Sequence, residues 1–412
     1  MAFGHRAVFA ERLMQVLLAS VMGSLAFSAT TVSALGLGDL RMVVFAGLFA
    51  ALAAGGVMLQ PRFSARDRLA PLVALWLLAV LALLSATVAP GAESSLLDYK
   101  IGLPILALLI APNLRAAMGG LDLSRFALWA GGSYVVATAV LALALPSLAV
   151  LRNVASHVRV DITGSVVLHA GLCTIIALGL AAALPHARSL WSRIGIGLPL
   201  AAAAWMVMLT GTRSPLLTIG FFVVLWAATG RLADLVRPRL LGAGLFAIAG
   251  FLVMSFAASN TILARLADLG QADYSSGRWP SILHWLAMAA GQPFGLGMGA
   301  VRATLEAGRP IIAGGHLLEW PHNEFVRFFV EGGALGLLLV LIVVVEAVRR
   351  ARRRALVTDD PLERVLLLAI AADMLAQCLL QNYFNSVYHA TVMLLLLGML
   401  AAAEDEAPAP GG

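Results

Sequence analysis

Charged residues make up only 12% of this 412-residue chain, about half their share in soluble domains. With 61% hydrophobic residues and a mean hydropathy of +0.92, that shortage excludes an ordinary soluble protein. Cysteine is nearly absent as well: Cys173 and Cys378 lie in apolar runs without metal-ligand spacing, which excludes a disulfide framework or a zinc site and leaves two small core residues. No internal repeat with a period of roughly 20 to 50 residues is visible, so a solenoid is excluded. Turn-broken segments of about ten residues are lacking too, and with them goes a membrane β-barrel.

What is there is a succession of long apolar runs. A bilayer-spanning helix needs about 20 apolar residues, so the chain holds on the order of a dozen spans. The runs fall at 13–34, 40–59, 69–89, 99–114, 124–148, 163–184, 194–211, 213–229, 239–258, 334–348, 362–383 and 390–403. Lipid cannot satisfy open backbone groups, so helices are the required element. The expected fold is an all-α integral membrane protein of about 12 transmembrane helices with one large outer loop region between the ninth and tenth spans. Residues 1–258 would hold spans one to nine, 259–333 the loop region, 334–403 the last three spans and 404–412 a cytoplasmic tail. Met1 to Arg12 reads as a basic leader. The run behind it could be a signal peptide ending at Val32-Ser33-Ala34, but it exceeds the ~7 to 15 residues of a signal core and is expected to stay attached.

The net charge of +6 and pI near 10.0 do not point to nucleic acid, because the basic residues are scattered through short loops. A cytoplasmic N-terminus places Arg62, Arg66, Arg68, Arg115, Arg125, Arg188, Arg193, Arg231, Arg237, Arg239 and the RRARRR cluster at 349–354 inside. The outer loops then keep only Arg41, Lys100, Arg152, Arg159 and Arg213. That asymmetry obeys the positive-inside rule and sets the 259–336 stretch on the outer face.

This stretch carries the densest set of reactive groups. Arg278, in Asp273-Tyr274-Ser275-Ser276-Gly277-Arg278-Trp279, leads into a predicted helix over 280–290. It is either an anion-binding fork or a surface arginine paired with Asp273, a pairing worth little in solvent. The glycines from Gly291 to Gly299 are too irregular for a nucleotide fingerprint and read as tight backbone packing. His322, beside Trp320, Pro321 and Asn323, sits where a helix begins and runs into the tenth span. A neutral imidazole there suits a proton acceptor, although most exposed histidines are inert. Arg213, in Gly211-Thr212-Arg213-Ser214-Pro215, faces the same compartment. It is either a headgroup anchor or an anion fork aided by the next helix's free donors. Arg302, Arg309, His316, Glu319 and Glu324 line an acceptor groove, pair with one another, or form solvated structure, the simplest reading. Asp373 and Gln377 lie one turn apart inside the eleventh span, where a carboxylate marks function by default or neutralises an arginine in the bundle interior. His157, His169 and His389 are weaker candidates.

Three motifs together resemble the O-antigen ligase family, within the wider group of bacterial O-antigen ligases and polymerases. They are Thr212-Arg213-Ser214, Ser276-Gly277-Arg278, and His322-Asn323 followed after nine residues by Gly333 and then by Gly336. The resemblance implies an inner-membrane glycosyltransferase with both termini cytoplasmic. It implies an undecaprenyl-pyrophosphate-linked glycan as donor and lipid A-core as acceptor. In that setting Arg213 and Arg278 would hold the pyrophosphate and His322 would serve the acceptor hydroxyl, with Asn323, Arg302, Arg309 and His316 as further substrate-binding candidates. No cofactor or metal is implied, and no Asp-x-Asp pair occurs in the loop. A polymerase using the same donor is the nearest alternative, although polymerases usually carry two sizeable outer loops. A transporter or lipid flippase, the alternative from another class, predicts inverted repeats and midplane polar breaks.

Overall fold

A computed structural model describes residues 2–23, 38–59, 65–88, 100–118, 121–144, 150–154, 157–161, 165–210, 212, 214–229, 278–308, 310–312 and 317–402. The helices in order are α1 (Ala2–Gly23), α2 (Gly38–Leu59), α3 (Ala65–Val88), α4 (Gly102–Ala117) and α5 (Leu123–Ala144). They continue with α6 (Val166–Ala183), α7 (Leu190–Thr210), α8 (Ser214–Ala227), α9 (Arg278–Ala289) and α10 (Ala300–Ala307). The last three are α11 (Glu324–Val357), α12 (Pro361–Leu380) and α13 (Val387–Ala401).

The fold is helical, and most of the apolar runs become helices within a few residues of the expected bounds. Five of the described helices are both long and apolar enough to cross a membrane: Arg68–Thr87, Leu123–Ala144, Val166–His186, Leu190–Thr210 and Glu324–Val357. Shorter apolar helices cover Val43–Leu59, Gly102–Ala117, Ser214–Ala227 and Val387–Ala401. The expected span at 239–258 lies outside the described residues.

Three expectations are corrected. The first helix begins at Ala2, so the basic leader is itself helical. The segment expected as a plain loop after the fifth span forms a two-stranded antiparallel hairpin, β1 (Val150–Val154) paired with β2 (His157–Asp161), as its valine-rich alternation allows. The tenth span runs further than expected: the helix expected to begin near His322 starts at Glu324 and continues to Val357, beyond Val348. The arginine cluster is therefore helical, where Glu346 pairs with Arg349 and Arg350, both at 2.7 Å.

α12 is the central post. It is buried along nearly its whole length, as a helix apolar on every side must be, and it packs against α6, α8 and α11. Asp360 caps its start by accepting from the Leu362 amide at 2.9 Å, with Pro361 at the first helical position. Small residues permit close approach. A Cβ on Gly398 of α13 would stand 2.6 Å from the Ala111 Cβ of α4, and Gly171 of α6 leaves room for the Asp373 carboxylate of α12. Among the described residues that carboxylate pairs with no arginine. Asp373 Oδ1 accepts from Thr218 Oγ1 at 3.0 Å and Gln377 Nε2 at 3.2 Å, and Oδ2 lies 3.8 Å from His389 Nε2. Cys173 and Cys378 are buried free thiols, as the sequence indicates.

Candidate functional site

The described part of the 259–336 stretch folds on its own small apolar core, in which Trp285, Ala289, Val301, Ile312 and Leu318 pack on Val330 of α11. α9 supplies the tie between the two motif residues. Arg278 is its first residue. One turn on, the Ser281 hydroxyl accepts from the Glu319 amide at 3.1 Å, and the Trp285 indole donates to the Glu319 carbonyl at 2.8 Å. The segment that leads into His322 is thereby held against the helix that carries Arg278.

The floor of the site is the carbonyl end of α12. Arg278 Nη1 donates to the Leu380 carbonyl at 3.3 Å and Asn323 Nδ2 to the Leu379 carbonyl at 3.3 Å. Carbonyls at a helix C-terminus carry partial negative charge, so a guanidinium is well placed there. Asn323 also caps α11, its side-chain oxygen accepting from the Val326 amide at 3.1 Å. His322, just ahead of that cap, is the one described non-glycine residue with positive φ, at 45°, a conformation that surrounding structure has to enforce.

His322 is 25% exposed, with Nε2 3.9 Å from Glu319 Oε2. Burial and, after it, the nearby positive charge of Arg278 push its pKa down to about 4, against a hydrogen bond that the ring donates to the Gln381 side chain and that favours the protonated form. The ring is therefore neutral near pH 7. Its Nδ1 is buried without a hydrogen-bond partner among the described residues.

The two glycines of the histidine motif have a steric reason. Gly333 breaks α11 with φ 59° and ψ −146°. The carbonyls of Val330 and Glu331 accept instead from the amides of Leu296 at 2.8 Å and Gly297 at 3.0 Å. A Cβ on Gly333 would collide with the Pro293 carbonyl, and one on Gly336 with the Phe328 carbonyl. Gly295, at φ 74°, has the Gly333 amide 2.5 Å from where its Cβ would be. The glycine series is backbone packing against a kinked helix. Met298 ties the same loop to α3 through its amide, which donates to Ser85 Oγ at 2.9 Å.

Beneath the site, Arg327 is buried between Glu324 at 3.2 Å and Glu331 at 3.3 Å, and donates to Asn385 Oδ1 at 2.8 Å. Glu324 also accepts from the Phe384 amide. The solvated surface expected for Glu324 is thus corrected: it is fully buried and fastens α11 to the turn after α12. The pattern Glu324, Arg327, Glu331 at i, i+3 and i+7 was a legible signal of a charged helix face. Gln381, four residues beyond Gln377, is the other residue that the sequence reading missed.

Of the remaining candidates, Arg302 lies on α10, 3.9 Å from Glu306. Arg213, Arg309 and His316 lie outside the described residues. On either side of Arg213, Thr212 and Ser214 are buried with their hydroxyls 3.4 Å apart, and α8, which starts at Ser214, packs along α12. Among the described residues no three His, Cys, Asp or Glu side chains are grouped to hold a metal ion.

Residues 198–341 match the family described as O-Antigen ligase. The match bears out the resemblance over a stretch that contains all three motifs. No curated protein matches the chain.

Proposed function

We propose that this protein is a membrane glycosyltransferase that moves a glycan from undecaprenyl pyrophosphate to a hydroxyl of lipid A-core oligosaccharide at the periplasmic face. The observation that carries this reading is the convergence of Arg278 and an uncharged His322 on the outer end of α12, inside the stretch that matches the family. Breaking the glycosidic bond leaves growing negative charge on the diphosphate. A guanidinium keeps its charge at any working pH and offers a fork of donors, so Arg278, joined by Arg213, would stabilise that charge as it develops. His322 would accept the proton of the acceptor hydroxyl as its oxygen attacks the anomeric carbon from the face opposite the leaving group, inverting that centre. Permanent side-chain charge serves the leaving group here, so the reading includes independence from metal.

The test is reconstitution of the purified protein with an undecaprenyl-pyrophosphate glycan, with or without lipid A-core, and with or without chelator. Glycosylated lipid A-core formed equally with chelator supports the proposal. Longer polyprenyl-linked glycan formed without lipid A-core replaces it with a polymerase. Movement of donor across the bilayer with no new glycosidic bond replaces it with a transporter.

A further inference from the structure

A cavity among the described residues lies far from His322. It is a groove of about 1640 Å³ between α5 and α7, floored by the end of α6 and the turn that follows. Pro361 and Leu362, at the start of α12, reach its edge, whereas Leu380, near the other end of that helix, accepts from Arg278. At 1.5 Å per residue these points are roughly 27 Å apart, close to the ~30 Å of bilayer hydrocarbon. The groove therefore belongs to the leaflet opposite the candidate site.

Its walls are apolar: Leu128, Trp129 and Val136 on one side, Ile196 and Pro199 on the other. α5 and α7 approach at Gly132, where a Cβ would lie 3.5 Å from the Pro199 Cβ. At Gly195 no atom stands within 4 Å of a Cβ, so the helices splay toward the rim. From Arg125 to Ala137 the groove runs roughly 18 Å along α5, about the depth of one leaflet. Trp129 and Trp191 flank the mouth at 78% and 79% exposure, as tryptophans at a lipid headgroup boundary do.

The rim carries both signs of charge. Arg125 sits 3.1 Å from Asp122, Arg188 makes no ion pair among the described residues, and Asp360 uses one oxygen to cap α12. Two carboxylates beside two guanidiniums leave no net charge to favour a purely anionic headgroup and complement one that carries a phosphate next to an ammonium. We propose that this groove binds one zwitterionic glycerophospholipid, phosphatidylethanolamine, with an acyl chain between α5 and α7, its phosphate on Arg188 and its ammonium toward Asp360 and Asp122.

The full-length protein, purified from phosphatidylethanolamine-containing membranes, is examined by native mass spectrometry and lipid extraction. The expected result is one retained phosphatidylethanolamine. Gly195→Phe fills the groove from an open position and should lower retention at least roughly tenfold, since losing contact with two or three methylenes suffices. Gly197→Phe, equally open but outside the lining, should retain the lipid, which separates plugging from misfolding. Exchange against phosphatidylglycerol should favour phosphatidylethanolamine in the parent protein and lose that preference in Asp360→Asn, which can still cap α12. Equal retention in Gly195→Phe and the parent, preference for phosphatidylglycerol, or a polyprenyl lipid as the retained species would each overturn the proposal.

Discussion

The two ends of α11 solve opposite problems with the same residue types. At the end beside the candidate site one arginine, Arg327, lies between two buried glutamates, and the backbone is bent at His322 and Gly333. At the other end one glutamate, Glu346, lies between Arg349 and Arg350 on an unbroken helix, and Arg354 pairs with Glu363 of α12. Acid at the start and base at the finish suit the helix dipole. The regular end needs only side-chain pairing to close the turn into α12. The bent end uses buried charge, capping and glycine contacts to hold a strained histidine, which is how a reactive group is kept in one geometry.

The largest test of this contrast is His322→Asn, which keeps a residue tolerant of positive φ but removes the base. Glycan transfer should fall about 100- to 10,000-fold with the melting temperature of the purified protein unchanged; parent-like transfer would strip the bent end of its chemistry. Next comes Arg327→Met. It leaves two buried carboxylates facing each other and should cost about 3 to 5 kcal/mol in unfolding measurements. Gly333→Ala forces a Cβ against Pro293 at a left-handed position and should cost about 1 to 3 kcal/mol, with transfer falling as His322 shifts.

A pH profile sharpens the same picture. Because His322 is held down to about 4, it is already neutral above that value. The rate should therefore stay level from pH 8 down to about 5 and fall only as pH drops toward 4. Arg278→Gln removes a charge that opposes protonation, so the acid limb of whatever activity remains should move to higher pH. The smallest effect is expected at the regular end. Arg349→Gln leaves Glu346 paired with Arg350 and should change stability by less than about 1 kcal/mol.

Much of this was legible in the chain. The spacing of apolar runs placed most helices, and the start of a helix beside His322 was read correctly, α11 beginning at Glu324. The glycines at 333 and 336 flagged a special backbone without showing what pressed on it. Other assignments went astray because the sequence does not show what lies across from a residue. Glu324 looked like loop surface until its partners Arg327 and Phe384 were in place, and Asp373, left open between a functional carboxylate and an arginine's partner, meets Thr218, Gln377 and His389 among the described residues. Gln381 attracted no notice, since its role depends on His322, far from it along the chain.

The sequence alone determined that the protein lives in a membrane, that its spans are helical, and which stretch holds its reactive groups. Those properties follow from local composition, because lipid rewards apolar length and penalises unpaired backbone wherever they occur. Only the tertiary structure decided that Arg278, Asn323 and His322 meet on the carbonyl end of α12, and that a groove opens beside the other end of that helix. Such meetings arise from helix packing between segments distant in the chain, and no local pattern encodes them.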